Sequence, residues 1–287
     1  MKKKVYIKKR NNKIELFSFE KLSKSLQSTG ASKNLVASIV TEIQLDVYDG
    51  ILSSAIYKKA FALLKKHNRT SASRYSLKRA LTDLGPTGFP FERLVGALLK
   101  EKRYTTQVSV ILNGACVTHE IDVLAEKDGN MYAIECKFHS DTKATSNVKV
   151  PLYINSRFLD IQEQWNTNPN NKTHLKQGWL VTNTRFTLDA INYAKCVGLT
   201  LLSWNYPENN GLKANIDTLA LYPITTLTAL TKREKHQLLK KNIVLVKELA
   251  NANEPMKSIG ISEVRIQKVL TEVQKLCQNN PNEELPL

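Results

Sequence analysis

The dipeptide Asp128-Gly129 lies between two runs of strand character, 116–126 and Asn130–Lys137, and it constrains this chain more than any other feature. Asp-Gly favours a two-residue turn with positive φ at both positions, the connection that matches the twist of a β-hairpin. Loop length sets register. Lys127 pairs with Asn130, so Val123 faces Ile134, Asp122 faces Glu135 and Ile121 faces Cys136. Alternate side chains on a strand share a face. Ile121 and Val123 therefore point one way and Asp122 the other, while Glu135 and Lys137 point away from Ile134 and Cys136. A three-residue loop would set Asp122 against Cys136 and scramble the faces.

This register places two carboxylates opposite each other with Cβ atoms about 5 Å apart, where like charges destabilise a sheet. Such a pair is tolerated if one acid is protonated or a cation lies between them. Two hard oxygen donors with room for water suit Mg²⁺ or Mn²⁺. Lys137 lies one pleat along, placed to orient or help deprotonate a water, or to stabilise charge developing on a phosphate. Metal, water and ammonium together describe phosphodiester hydrolysis. The competing reading is a solvated strand face, because Glu-x-Lys is common and Glu120 falls opposite Lys137 as a salt-bridge ladder. That reading leaves the Asp122–Glu135 opposition unexplained.

The surroundings of the hairpin predict an α/β sandwich. Residues 89–100 read as an amphipathic helix, and 105–112 as a strand preceding the hairpin. A polar basic loop and a helix over 152–165 follow it. A strand over 178–182, a helix over 187–197 and a strand over 199–203 close the series, which implies a parallel pairing at its end. The runs Gly88-Phe89-Pro90-Phe91-Glu92, Glu120-Ile121-Asp122-Val123-Leu124-Ala125-Glu126 and Tyr132-Ala133-Ile134-Glu135-Cys136-Lys137 resemble the PD-(D/E)-x-K nuclease superfamily. They are most similar to the Mrr-type restriction endonuclease catalytic domain. The resemblance spans 85–207 and implies a restriction-endonuclease-like mixed sheet flanked by helices. It also implies that Asp122 and Glu135 hold the divalent metal and that Lys137 assists the attacking water. Glu92 matches an acid that family members place on the first helix near the metal, and it reads equally well as a helix-surface acid. Some Mrr-type members carry Gln-x-Lys where this chain has Glu135-x-Lys137. Lys143, Lys149 and Arg157 are candidates for contacts to the DNA backbone, or for a solvated basic surface. His119 and His139 flank the motif with no role assigned.

Charge adds a second line of argument. The 287 residues carry 42 Lys/Arg and 26 Asp/Glu, a formal net charge of +16. Residues 1–85 alone hold 18 basic and 6 acidic side chains, and a large field of one sign concentrates polyanions. That segment reads as a short hairpin turning at Asn11-Asn12, followed by four helical patterns, up to a break at Gly85-Pro86. Ile7, Lys9, Arg10, Asn11, Asn12, Glu15, Phe17, Lys21 and Leu22 resemble the signature of the ATP-cone, a regulatory nucleotide-binding module. The resemblance implies ATP or dATP binding, with Ile7, Lys9, Arg10 and Lys21 lining the site and Arg74-Tyr75 and Lys78-Arg79 completing it. Asn11-Asn12 replaces the family's Asp-Gly, and Leu16 its usual proline. The same basic face also suits DNA phosphates. No Walker A sequence occurs, so sensing rather than powered translocation is expected.

Residues 208–277 read as short helices. The turn Ser258-Ile259-Gly260-Ile261-Ser262 resembles helix-hairpin-helix DNA-binding modules, with a packing or dimerisation subdomain as the alternative. The tail 278–287 is polar and acidic and is expected to be disordered. Cys116, Cys136, Cys196 and Cys277 lack zinc spacing. No apolar run reaches the length of a membrane span and the Lys-rich start lacks a secretory h-region, so the expected compartment is the cytoplasm.

These features predict a Mg²⁺-dependent endodeoxyribonuclease of the restriction type acting on double-stranded DNA, fronted by an adenine-nucleotide sensor. The alternative is a nucleotide-responsive DNA-binding regulator on a catalytically silent nuclease fold. An RNA or branched-DNA substrate stays open. Double-strand cleavage normally uses two sites, which suggests a homodimer.

Overall fold

The structure is a computed structural model that describes residues 4–9, 12–250 and 252–278. The chain divides into two compact units, one of residues 1–77 with 226–230 and one of 78–225 with 231–287.

The first unit opens with β1 (Tyr6–Lys8) antiparallel to β2 (Ile14–Leu16), with Ile7 opposite Glu15. Four helices or parts of helices follow: α1 (Phe19–Gln27), α2 (Lys33–Asp46), α3 (Ser53–His67) and α4 (Arg69–Tyr75). Ser18, Ser32 and Asn68 cap α1, α2 and α4 through side-chain oxygens that accept backbone amides. The apolar stripes Leu22/Leu26, Val36/Ile39/Ile43 and Ile56/Ala60/Leu64 close over Val5 and Ile7 as one core. The single fourth helix expected from the sequence is two helices, α4 and α5 (Leu77–Thr82), because the chain turns at Ser76.

The second unit is a mixed α/β fold. After α6 (Phe89–Glu101) come β3 (Thr105–Asn113), β4 (Thr118–Lys127) and β5 (Asn130–Lys137), then β6 (Thr145–Ser146) and α7 (Lys149–Thr167). β7 (His174–Thr182), β8 (Arg185–Phe186), α8 (Leu188–Val197) and β9 (Thr200–Leu202) complete the layer. The main sheet has the order β3-β4-β5-β7-β9, antiparallel through the meander and parallel from β5 onward. β6 and β8 form a separate parallel pair. This mixed sheet flanked by helices agrees with a restriction-endonuclease-like fold.

Two sequence boundaries shift for a visible reason. β4 begins at Thr118 rather than 116, because the Asp160 carboxylate on α7 takes the amides of Cys116 and Val117 into the turn. β7 begins four residues before Gly178, at His174.

The C-terminal part contains α9 (Leu212–Thr218), α10 (Lys232–Lys240), a 3-10 turn at Val246–Leu249, α11 (Glu254–Lys257) and α12 (Glu263–Cys277). Thr231 and Glu234 cap α10 reciprocally, and Arg265 from α12 pairs with Glu234. The expectation of a disordered tail concerns 278–287, of which 279–287 lie outside the described residues. Among the described residues no helix is long and apolar enough to cross a membrane.

Candidate active site

Asp128 and Gly129 have φ of +52° and +73°, as a primed two-residue turn requires. The ladder runs as the turn dictates from Lys127↔Asn130 to Val123↔Ile134. The pairs expected beyond it, Asp122 with Glu135 and Ile121 with Cys136, are not ladder pairs. The two strands part at Asp122, whose Oδ2 accepts the Cys136 amide at 2.6 Å. On the other side of β4, the ladder with β3 skips Ser109 against Asp122, and Ser109 has φ +54°.

This local irregularity changes which faces are shared. Val108 and Val123, paired with each other, face α6 at Gly96, where an added Cβ would lie 3.2 and 3.9 Å from their methyl groups. Val110 and Ile121, the next pair, belong instead to the cluster with Leu124, Ala133, Phe158 and Ile161 on the α7 side. Ile121 and Val123 therefore point to opposite faces, contrary to strict alternation. The β3–β4 ribbon switches faces at Ser109 and Asp122 while its register is unchanged on either side.

Glu92 sits in the first turn of α6. A hydrogen bond with Ser109 steadies it, and the carboxylates of Asp122, Glu120 and Glu135 all act on it. Burial, then Asp122, raises Glu92 to about 7. Burial, then Asp122, raises Glu135 to about 7 as well, against the pull of Arg157 and Lys137. Burial also raises Asp122, opposed by the Cys136 amide, Arg157 and Lys137. Lys137 is exposed at the end of β5, beside Thr182 of β7, whose hydroxyl donates to the Lys137 carbonyl at 2.7 Å. The structure thus brings Glu92, Asp122, Glu135 and Lys137 to one locality.

The donor set fits a divalent ion. Two acids forced toward neutrality by burial and mutual repulsion gain most from a cation, which would restore their charge. Among the described residues no three His, Cys, Asp or Glu side chains close into a ligand cage. Asp122 and Glu135 are hard oxygen donors of the type that Mg²⁺ takes, one or two at a time with water.

Arg157, a candidate for a DNA-backbone contact, is engaged within the chain. Its Nη1 donates to Glu135 Oε2 at 2.7 Å and its Nη2 donates to the Glu120 carbonyl. The guanidinium bridges the gap where β4 and β5 part and serves as an internal counter-charge. Spacing offered no hint of this, since Arg157 lies 22 residues from Glu135. Lys143 and Lys149 are exposed, on the loop before β6 and at the start of α7. That loop is pinned by Asn183, which takes the His139 amide and donates to the His139 carbonyl, at 2.9 and 2.8 Å.

In the first unit Ile7 is a core side chain and Lys9 pairs with Glu15 at 3.3 Å. Lys21 is exposed in the first turn of α1, and Tyr75 stacks on Tyr57 at 5.1 Å. Arg10 lies outside the described residues. In the second unit Lys78 sits over the Trp204 ring at 5.6 Å.

Residues 86–205 match the restriction endonuclease family profile, and 222–277 match a profile described as AF1548-like, C-terminal. A protein of Archaeoglobus fulgidus described as uncharacterized is 37% identical over 180 residues, which is 62% of this chain and 97% of the relative. The chain belongs to the AF1548-like family. The crystal structure of AF1548, described as a protein of unknown function, is 34% identical and superposes with a TM-score of 0.55, covering 67% of this chain and 98% of that one. MspJI restriction endonuclease, solved with a 27-mer oligonucleotide, is 11% identical with a TM-score of 0.28 over 64% of this chain and 40% of that one. Residues 222–277, which include the turn Ser258–Ser262, match the AF1548-like C-terminal profile.

Proposed function

We propose that this chain is a Mg²⁺-dependent endodeoxyribonuclease of the restriction type that hydrolyses phosphodiester bonds in double-stranded DNA. The observation that carries the reading is the meeting of Glu92, Asp122, Glu135 and Lys137 at the point where β4 and β5 part, within a domain matching the restriction endonuclease profile. Asp122 and Glu135 would hold the ion, with Glu92 as the third acid on its edge. The ion would supply a Lewis acid for the phosphate and a water of lowered pKa. The Cys136 amide fixes Asp122 Oδ2, which would leave Oδ1 to face the ion. Lys137 lies close enough to influence both carboxylates. It holds the attacking water by hydrogen bond and offsets charge building on the phosphate. A 5′-phosphate product follows from the family resemblance.

Lys143 and Lys149 contact the DNA backbone beside this site, and the excess of basic residues over 1–85 adds long-range attraction. The first unit senses ATP or dATP through Lys9, Arg10 and Lys21 and modulates cleavage. Two copies act together on the two strands. Incubation of supercoiled plasmid with the protein tests the reading, with Mg²⁺ or EDTA and with or without ATP or dATP. Nicked and linear products that need Mg²⁺ and respond to the nucleotide support it. Failure to cut with Mg²⁺ under every nucleotide condition would favour the DNA-binding regulator.

A further inference from the structure

Four side chains run in line from the tip of the β3–β4 hairpin to the candidate metal site. Asp160 on α7 is itself clamped: its Oδ1 accepts the Cys116 amide at 2.8 Å, its Oδ2 faces the Val117 amide at 3.4 Å, and its carbonyl accepts the Ala115 amide at 3.0 Å. Gly114 leaves room for this, since an added Cβ would lie 2.0 Å from Asp160 Oδ2. Asp160 Oδ2 meets His119 Nε2 at 2.6 Å, and His119 Nδ1 faces Arg157 Nε at 3.5 Å. Arg157 then reaches Glu135 and the Glu120 carbonyl.

Donor chemistry fixes the tautomer. The Arg157 Nε–H can only donate, so His119 Nδ1 must accept and His119 Nε2 must carry the proton given to Asp160. Every nitrogen of the guanidinium then has an acceptor: Nη1 on a carboxylate, Nη2 on a carbonyl and Nε on an imidazole. Its central carbon lies over the Tyr153 ring, 5.6 Å from the centroid. A side chain with this much of its rotamer freedom removed is organised to hold one geometry.

We infer that Asp160 and His119 are positioning residues that hold Arg157, which fixes Glu135 Oε2 and so presents Oε1 to a divalent ion. This rests on the nuclease reading and deepens it. Arg157 acts as a brace rather than a competitor of the ion, since it occupies one carboxylate oxygen and leaves the other. Outer partners that orient metal ligands typically govern about 10- to 100-fold of affinity.

The test uses the full chain and two measurements. Mn²⁺ titration followed by electron paramagnetic resonance reads affinity without cleavage. His119→Ala and Arg157→Lys should each weaken Mn²⁺ binding by about 10-fold or more, while His119→Asn, which keeps an acceptor near Nδ1, should stay within about 3-fold of wild type. Tighter or unchanged Mn²⁺ binding in His119→Ala and Arg157→Lys would overturn the inference. Asp122→Ala serves as the separate control, because unchanged Mn²⁺ binding there would refute the metal site and the nuclease reading. The second measurement, nuclear magnetic resonance of the Arg157 Nε–H, decides the brace on its own. A slowly exchanging signal in wild type and His119→Asn that is lost in His119→Ala is expected. Rapid exchange in wild type would contradict the brace.

Discussion

The Asp122 carboxylate accepts the Cys136 amide at 2.6 Å, inserting itself where the next rung of the β4–β5 ladder would form. The side chain takes over a backbone hydrogen bond, so β5 keeps its amide satisfied while the two strands separate. Glu135 is left facing Arg157 across the opening, and Lys137 is exposed at the strand end. A sheet defect and an acidic site are thus the same structural event.

The raised carboxyls predict a particular pH dependence of stability in the absence of divalent ions. Glu92 and Glu135 titrate at about 7 in the folded chain, above the roughly 4.3 of an unfolded glutamate. The folded state binds more protons between these values. The contribution is full below about pH 4.3 and is lost as pH rises through 7. Thermal melts in EDTA should therefore show Tm falling from pH 5 to pH 8, and Mg²⁺ should flatten that slope. Glu135→Gln should raise Tm at pH 8 by about 2–4 °C. A Tm that rises across this interval in EDTA would contradict the assignment.

Glu234 has the opposite sign. The hydrogen bond from Arg265, reinforced by the Thr231 amide, lowers it to about 2. Its contribution is present above about pH 4.3 and is lost as pH falls toward 2. Glu234→Gln keeps a capping acceptor but loses the charge pairing, and should cost about 1 kcal/mol at pH 7. Denaturant melts at pH 7 and pH 3 check this, and the difference between the two proteins should shrink at pH 3 without vanishing, since Glu234 is still largely ionised there.

Gly114→Ala should disturb the hairpin tip that Asp160 clamps. The new Cβ would lie 2.7 Å from the Val117 carbonyl as well as against the Asp160 carboxylate. Overpacking of this kind costs about 1–3 kcal/mol. Urea melts should show that loss, whereas Gly129→Ala, with nothing within 4 Å of its added Cβ, should be destabilised only through its φ of +73°.

Lys143 and Lys149 should act on DNA affinity rather than on chemistry. Fluorescence anisotropy with a labelled duplex and Asp122→Ala protein isolates binding. Replacing each by Ala should reduce the slope of log affinity against log salt by about 0.9. An unchanged slope would place the DNA elsewhere.

Much of this was legible from one turn. Asp128-Gly129 set the register of the β4–β5 pair as far as Val123↔Ile134 because local geometry alone determines it. The same register brought Asp122 near Glu135, although the two do not form the rung expected of them. The face switch at Asp122 was not legible, since it depends on Ser109 adopting φ +54° and on a side chain replacing a backbone acceptor. The Asp160–His119–Arg157 line was hidden for another reason. It joins β4 to α7 across about 40 residues, and only packing brings them together. The short β6–β8 pair escaped because two-residue strands have no periodicity to read.

The most direct test of the central claim is the rate of Mg²⁺-dependent cleavage of an end-labelled duplex by wild type, Asp122→Asn and Lys137→Ala. Wild type should cut in proportion to Mg²⁺ occupancy, and both variants should be slower by about 10²-fold or more while still unfolding cooperatively. Cleavage at the wild-type rate by either folded variant would contradict the assignment of the site.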